Sequence, residues 1–269
     1  WDDMRGGDEI DIMAAPSLQH EHEFRQVCRC GFGEPALLAD IVVLAEYAVE
    51  IAIGDSEYNR WELESMGFLR TEVLPILIDF TAYKQFNESL VKKYSDGYVN
   101  LLFVGRISPN KKQEDILKIF YYYKAINPLS RLFLVGGFNG CERYIDRLRD
   151  IVKDLDLPDV VFTGSVPFED LISYYKIADV FVCMSEHEGF CVPLVESMFF
   201  GIPIIAYNST AVPYTLGNSG ILVKEKRYDE IAELINIITK DETLKIKVIE
   251  RQKQKLKTFE FIEMQKKLK

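Results

Sequence analysis

The chain has 269 residues, a formal net charge of −10 and 48% hydrophobic residues. That length suits about two domains with sizeable cores, and the acidic balance excludes non-specific nucleic-acid binding, which needs a basic face. No apolar run reaches the roughly 20 residues of a membrane span; Ala36 to Ile53 is interrupted by Asp40, Glu46 and Glu50 and reads as a core helix.

The opening residues carry no signal-peptide pattern, and the chain starts at Trp1, so it reads as a piece of a longer protein. Five cysteines without a spacing framework suit a reducing compartment. The expected localisation is therefore cytoplasmic, with peripheral association at the inner membrane face as an option. Cys141, Cys183 and Cys191 read as small core residues. His20-x-His22 and Cys28-x-Cys30 match none of the common structural zinc spacings, so no metal site is expected.

Residues 1–34 show no clean period. Pro35 to Val49 has helical spacing and Ala48 to Ile53 is strand-like. Ser56 is a candidate cap for a helix that stops at Gly67. Thr71 to Ile78, with Pro75 inside it, reads as an edge strand or an extended connection. Residues 1–78 are thus expected to be a remnant of a first α/β domain, 79–97 a linker, and 98–240 a complete second α/β domain. Residues 241–269 should be C-terminal helices returning toward the first domain.

Within the second domain, strands are expected at Val99–Val104, Arg131–Val135, Val160–Thr163, Val180–Cys183, Ile204–Ala206 and Ile221–Val223. Helices are expected at Gln113–Ile126, Cys141–Leu155, Pro167–Ile177 and 192–200, with two more at the C-terminus. Strands and helices alternating at these lengths predict an α/β fold with a parallel sheet covered on both faces. Ligands of such sheets bind beyond the carboxyl ends of the strands.

Four stretches lie there. The first strand delivers Gly105-Arg106, followed by Lys111: a planar fork and a point charge, both suited to phosphate oxygens. The second ends in Gly136-Gly137, which permit close backbone approach to a ligand. The third ends in Thr163-Gly164-Ser165-Val166. The fourth ends in Ser185-Glu186-His187-Glu188-Gly189-Phe190-Cys191-Val192-Pro193, then a helix to Gly201. Pro193 suits a first helical position and Gly201 a left-handed terminator. A turn entering a helix offers free N–H groups and the positive dipole end to an anion, and Glu188 and Glu196 bracket it. Their spacing alone says little, because Glu64/Glu72, Glu225/Glu233 and Glu242/Glu250 share it. The preceding buried strand, the glycine turn and Pro193 set Glu188/Glu196 apart.

The pattern Ser185-x-x-Glu188-Gly189-Phe190-x-x-Pro193-x-x-Glu196-Ser197-Met198-x-x-Gly201-x-Pro203 resembles the signature of retaining glycosyltransferases of the GT-B fold, family-four type. Gly105-Arg106 with Lys111 is similar to the donor-phosphate motif of that family. The stretch from Asp55 to Ile76 resembles the end of its acceptor-side domain. The resemblance implies a GT-B enzyme with a Rossmann-like donor domain. It implies transfer of a sugar from a UDP- or GDP-linked donor to a saccharide or lipid-linked acceptor, with retention at the anomeric carbon and no cofactor or metal. Arg106, Lys111 and Glu188 would be catalytic: the two cations stabilise the leaving nucleotide, and Glu188 holds the donor sugar. Gly105, Gly136, Gly137, Val166, Gly189, Phe190, Cys191, Val192 and Glu196 would bind donor, with Glu196 on the ribose hydroxyls and Val166 near the base.

This chain departs from the family pattern at Cys191, where a small glycine is usual, at Met184 and at Tyr214. No glycine-rich first loop or cleft histidine is found, so most of an acceptor domain is expected to be absent. A non-catalytic nucleotide-sugar-binding module or inactive partner subunit is the second reading. A nucleotide-sugar 2-epimerase is a third, against which the Glu188-Gly189-Phe190 turn speaks.

Overall fold

In the computed structural model, which describes residues 51–259, a boundary after Leu74 separates two units. The expected helix over Pro35–Val49, the His20/His22 and Cys28/Cys30 pairs, and the residues after Phe259 lie outside the described residues. The first unit contributes β1 (Ala52–Gly54), α1 (Glu57–Ser65) and β2 (Thr71–Val73), with the strands parallel and Ala52 opposite Thr71. Ser56 caps α1, its hydroxyl accepting from the Asn59 amide at 3.2 Å. β2 covers only the start of the Thr71–Ile78 stretch: Leu74 still donates to Gly54, but Pro75 has no N–H with which to continue the ladder, and the residues to Ile78 are the connection.

The second unit starts at Pro75, and here the expected linker is corrected. Residues 79–97 hold a 3-10 turn (Phe80–Ala82) and α2 (Glu88–Tyr94). Asn87 caps α2 through Leu90, its amide donates to Ser173 Oγ at 2.7 Å, and its Nδ2 donates to Asp170 at 2.8 Å. The segment is fastened to the second unit along its length.

Six strands follow: β3 (Val99–Val104), β4 (Ser130–Val135), β5 (Val160–Gly164), β6 (Val180–Cys183), β7 (Ile204–Tyr207) and β8 (Ile221–Val223). They form one parallel sheet in the order β5-β4-β3-β6-β7-β8. Between them run α3 (Gln113–Ile126), α4 (Glu142–Asp154), α5 (Phe168–Ile177), α6 (Val192–Phe200) and α7 (Val212–Leu216); α8 (Tyr228–Lys240) and α9 (Glu242–Leu256) close the unit. The sequence reading has no counterpart for α2 or α7, both short.

Strand alternation builds two cores. Leu101, Phe103, Leu132, Leu134, Val180 and Val182 join α3, α4 and α8 on one face. Leu102, Phe133, Val135, Phe181 and Cys183 join α5, α6 and α7 on the other. Both faces are covered, as a parallel sheet requires. The strand order reverses between β3 and β6, and the crevice beyond their carboxyl ends is where doubly wound sheets take ligands.

Candidate functional site

β3 and β6 are hydrogen-bonded neighbours, so the loops leaving them meet. The Glu186 amide donates to the Asn110 carbonyl at 2.8 Å, and Asn110 Nδ2 donates to the His187 carbonyl at 3.4 Å. Across this seam Lys111 Nζ lies 2.7 Å from Glu188 Oε2. Glu188 is buried and Lys111 half-buried, so the pair is less screened than a surface bridge. The sequence-predicted cation and carboxylate are thus brought together.

Arg106 is not part of that pair. It is exposed, and its Nη2 donates to the Asn139 carbonyl at 2.8 Å, on the loop after β4. The β3 loop therefore sends one cation to each neighbouring loop. Gln113 lies fully buried behind it, with Nε2 donating to the Arg106 carbonyl.

The glycines let neighbouring strand ends pack closely. A Cβ at Gly136 would stand 2.0 Å from the Gly105 carbonyl oxygen, and its φ is +148°. Gly136 also donates to Gly164 at 3.1 Å, joining the ends of β4 and β5. At Gly137 the space of a Cβ is filled by Ser165 Oγ. In this structure these glycines admit the neighbouring strand ends to one another. Val166, after β5, is half-buried against the α5–α6 core.

The turn from Ser185 to Cys191 is braced from below. Thr210 Oγ1 accepts from the Glu188 amide at 2.8 Å and donates to the Glu188 carbonyl at 2.9 Å. Ser209 Oγ donates to the Ser185 carbonyl and Thr215 Oγ1 to the Phe190 carbonyl. Phe190 is buried, edge-on to Phe259, so its ring anchors the turn. Cys191 is buried and left-handed, with φ 66° and ψ 66°, and caps α6. α6 spans Val192–Phe200, the expected bounds, with Pro193 in its first turn, and is closed by Gly201 with φ 67° as expected. Gly189 and Val192 are partly exposed at this helix start. The Cys191 thiol is pushed well above its ordinary range by its hydrogen bond to Cys183 and by burial.

Glu196 is buried, and both its oxygens are engaged. Tyr83 donates to Oε1 and Tyr175 to Oε2, each at 2.6 Å. Burial pushes both phenols up, and the neighbouring carboxylate pushes them further. Neither tyrosine, nor Ser209, Thr210 or Thr215, is among the sequence-predicted site residues. A second network holds the rim: Lys226 Nζ donates to Asp115 Oδ2 at 2.8 Å and to Glu186 Oε1 at 2.9 Å. Among the described residues, no helix is long and apolar enough to cross a membrane.

Known proteins resemble this chain in sequence and in fold. The sequence model of the family described as "Glycosyl transferases group 1" matches residues 87–255. O-antigen chain mannosyltransferase B of Escherichia coli is 28% identical over 147 residues, covering 53% of this chain and 38% of that protein. Mannosylfructose-phosphate synthase of Agrobacterium fabrum is 36% identical over 110 residues, covering 39% of this chain and 24% of that protein. The alignments thus span well under half the length of these relatives. Among solved structures, HepE of Anabaena, crystallised with UDP and glucose, superposes with a TM-score of 0.75 at 22% identity over 88% of this chain and 66% of its own. Sucrose-phosphate synthase of Thermosynechococcus elongatus gives 0.71 at 21% identity over 87% and 60%. The fold is that of GT-B glycosyltransferases, with a Rossmann-like parallel sheet of six strands. A model matching most of the second unit, on a sheet of this order, identifies the chain as a member of the group 1 glycosyl transferases.

Proposed function

We propose that the second unit binds a nucleoside-diphosphate sugar at the carboxyl edge of its sheet. The protein would transfer that sugar to a saccharide or lipid-linked acceptor with retention of anomeric configuration. The observation that carries the reading is the Lys111–Glu188 pair, 2.7 Å apart, at the switch point of the sheet and beside the N-terminus of α6. A cation, a helix dipole and a carboxylate at one point suit a ligand with phosphates and hydroxyls together. Lys111 and Arg106 take the diphosphate and stabilise charge as it develops on the leaving nucleotide. Glu188 accepts from the donor sugar, with the turn Gly189-Phe190-Cys191-Val192 lining the same side. Glu196 serves the ribose hydroxyls, and Val166 with the Gly105, Gly136 and Gly137 backbone borders the base and phosphates. The first unit, with β1, α1 and β2, is read as the end of an acceptor-side domain. No metal is assigned to the transfer itself, since the cations and the helix end supply its positive charge.

Support comes from family membership and from the names of similar proteins. HepE was crystallised with UDP and glucose, and several relatives are named as mannosyltransferases. Calorimetry with UDP, GDP and their sugars tests the donor half. Binding at sub-millimolar concentration that Lys111→Ala abolishes is expected; equal binding by the variant overturns the phosphate assignment. Retention is read by NMR as the anomer first released when water replaces the acceptor. An inverted first product would exclude it.

A further inference from the structure

The turn also brings together two thiols and the carboxylate assigned above to the donor sugar. Cys183 ends β6, Cys191 caps α6, and Glu188 lies between them in the chain. All three are buried. Both Sγ atoms and a Glu188 carboxylate oxygen lie within 4.8 Å of one another. The fold explains the meeting. Alternation along β6 sends Cys183 to the α6 face of the sheet, beside Phe181. Cys191, left-handed at the end of the turn, has its Sγ within reach of the Cys183 thiol at the end of β6.

We propose that Cys183, Cys191 and Glu188 form a three-ligand site for one thiophilic divalent cation of the zinc class. Tetrahedral zinc holds thiolate sulfur at about 2.3 Å and carboxylate oxygen at about 2.0–2.2 Å, so its ligand atoms stand about 3.5–3.8 Å apart. Atoms already within 4.8 Å reach that spacing by small side-chain rotations. Two thiols and one carboxylate bind the dication with release of two protons. The resulting centre carries one net negative charge, and the Lys111 ammonium, 2.7 Å from Glu188, lies beside it. Two sulfurs in the set select against magnesium and calcium, which prefer oxygen. Cys141, the other free cysteine among the described residues, lies beside Arg106 and takes no part.

Occupancy draws Glu188 away from the donor sugar, so the cation acts as an inhibitor. That consequence rests on the proposed function; uptake of the cation does not, and the experiment reads uptake alone. The whole chain, kept reduced with a phosphine, is titrated with cadmium and followed by its thiolate-to-metal absorption. The expected result is one equivalent with a two-thiolate band. Cys191→Gly and Cys183→Ser each remove that equivalent, and Glu188→Gln weakens it at least tenfold. Excess magnesium leaves it unchanged. Cys28, Cys30, His20 and His22 can take a cation of their own, so the deciding quantity is the equivalent lost on substitution. Cys191→Gly places at the left-handed turn the residue that such backbone favours, and circular dichroism checks that it stays folded. The same stoichiometry and band in Cys191→Gly as in the parent chain would overturn the proposal, as would a band of single-thiolate intensity in the parent.

Discussion

The phenol of Tyr83 donates to Glu196 Oε1 at 2.6 Å, and that bond joins a segment read from the sequence as a linker to the helix at the centre of the candidate site. Tyr175 occupies the other oxygen. A ribose that hydrogen-bonds to Glu196 must therefore compete with, or replace, a tyrosine. Tyr83 is the half-buried member of the pair, whereas Tyr175 is fully buried.

Tyr83→Phe should consequently tighten nucleoside diphosphates by roughly fivefold, the equivalent of one net hydrogen bond of about 1 kcal/mol. Inorganic diphosphate should be unaffected, because it has no ribose. Tyr175→Phe should instead lower stability by about 1–3 kcal/mol, since it leaves a buried carboxylate oxygen unsatisfied. Calorimetry reads the first and urea denaturation the second. Weaker nucleotide binding by Tyr83→Phe would show that Tyr83 orients Glu196 rather than competing for it.

At the Lys111–Glu188 pair, Glu188→Gln should weaken nucleotide-sugar binding more than binding of the bare nucleotide. Lys111→Met should weaken both and also destabilise the fold. Removing one partner of a buried pair costs about 3–5 kcal/mol, less where one partner keeps contact with water as Lys111 does. Parallel titrations with nucleotide and nucleotide sugar separate the two roles; equal losses for Glu188→Gln would undo the assignment.

Gly136→Ala should lower stability by about 3 kcal/mol or more, through backbone overlap together with a disfavoured φ. The obstacle is the Gly105 carbonyl, a backbone atom that cannot rotate away. Thermal denaturation reads the loss. A Tm unchanged within error would mean that the two loops can part at little cost.

Asp179 supplies a pH-dependent test. Burial raises its carboxyl above the usual aspartate value, against the opposing pull of its bond from the Asn100 amide and of Lys245. A carboxyl raised by folding contributes stability that is complete below its unfolded pKa and is lost as pH rises through the folded one. Asp179→Asn, which retains an acceptor for Asn100, should therefore stabilise the fold at neutral pH, and the gain should vanish in acid below the usual aspartate range. Denaturant midpoints for both proteins across that range decide it; a gain that grows toward acid would contradict the sign.

The parts of the fold legible in the sequence are those whose apolar pattern is long or uninterrupted. Gln113–Ile126 and Val180–Cys183 emerge with the expected bounds because one repeats at helical spacing and the other is buried on both faces. α2 escaped because seven residues carry too little periodicity, although Asn87 followed by Glu88 is a cap followed by an acidic first turn. In the site, Lys111 and Glu188 were legible because each follows a buried strand. Tyr83 was not, because 113 residues separate it from Glu196 and only the packed chain puts them in contact. Gly136 was legible as a place of close backbone approach, but its packing against the Gly105 carbonyl, 31 residues away in the chain, was not.

Arg106 and Lys111 leave the same loop in opposite directions, one toward the loop after β4 and the other toward the turn after β6. With β3 between those strands and about 4.8 Å from strand to strand, the two anchor points are about 10 Å apart. The loop works like a caliper. A single phosphate falls inside its gap and can satisfy only one arm, whereas a ligand with two linked anionic groups can close both. Closing them releases Asn139 and Glu188 from their present partners, so binding there is an exchange of acceptors, and its enthalpy should be small relative to the charge it gathers.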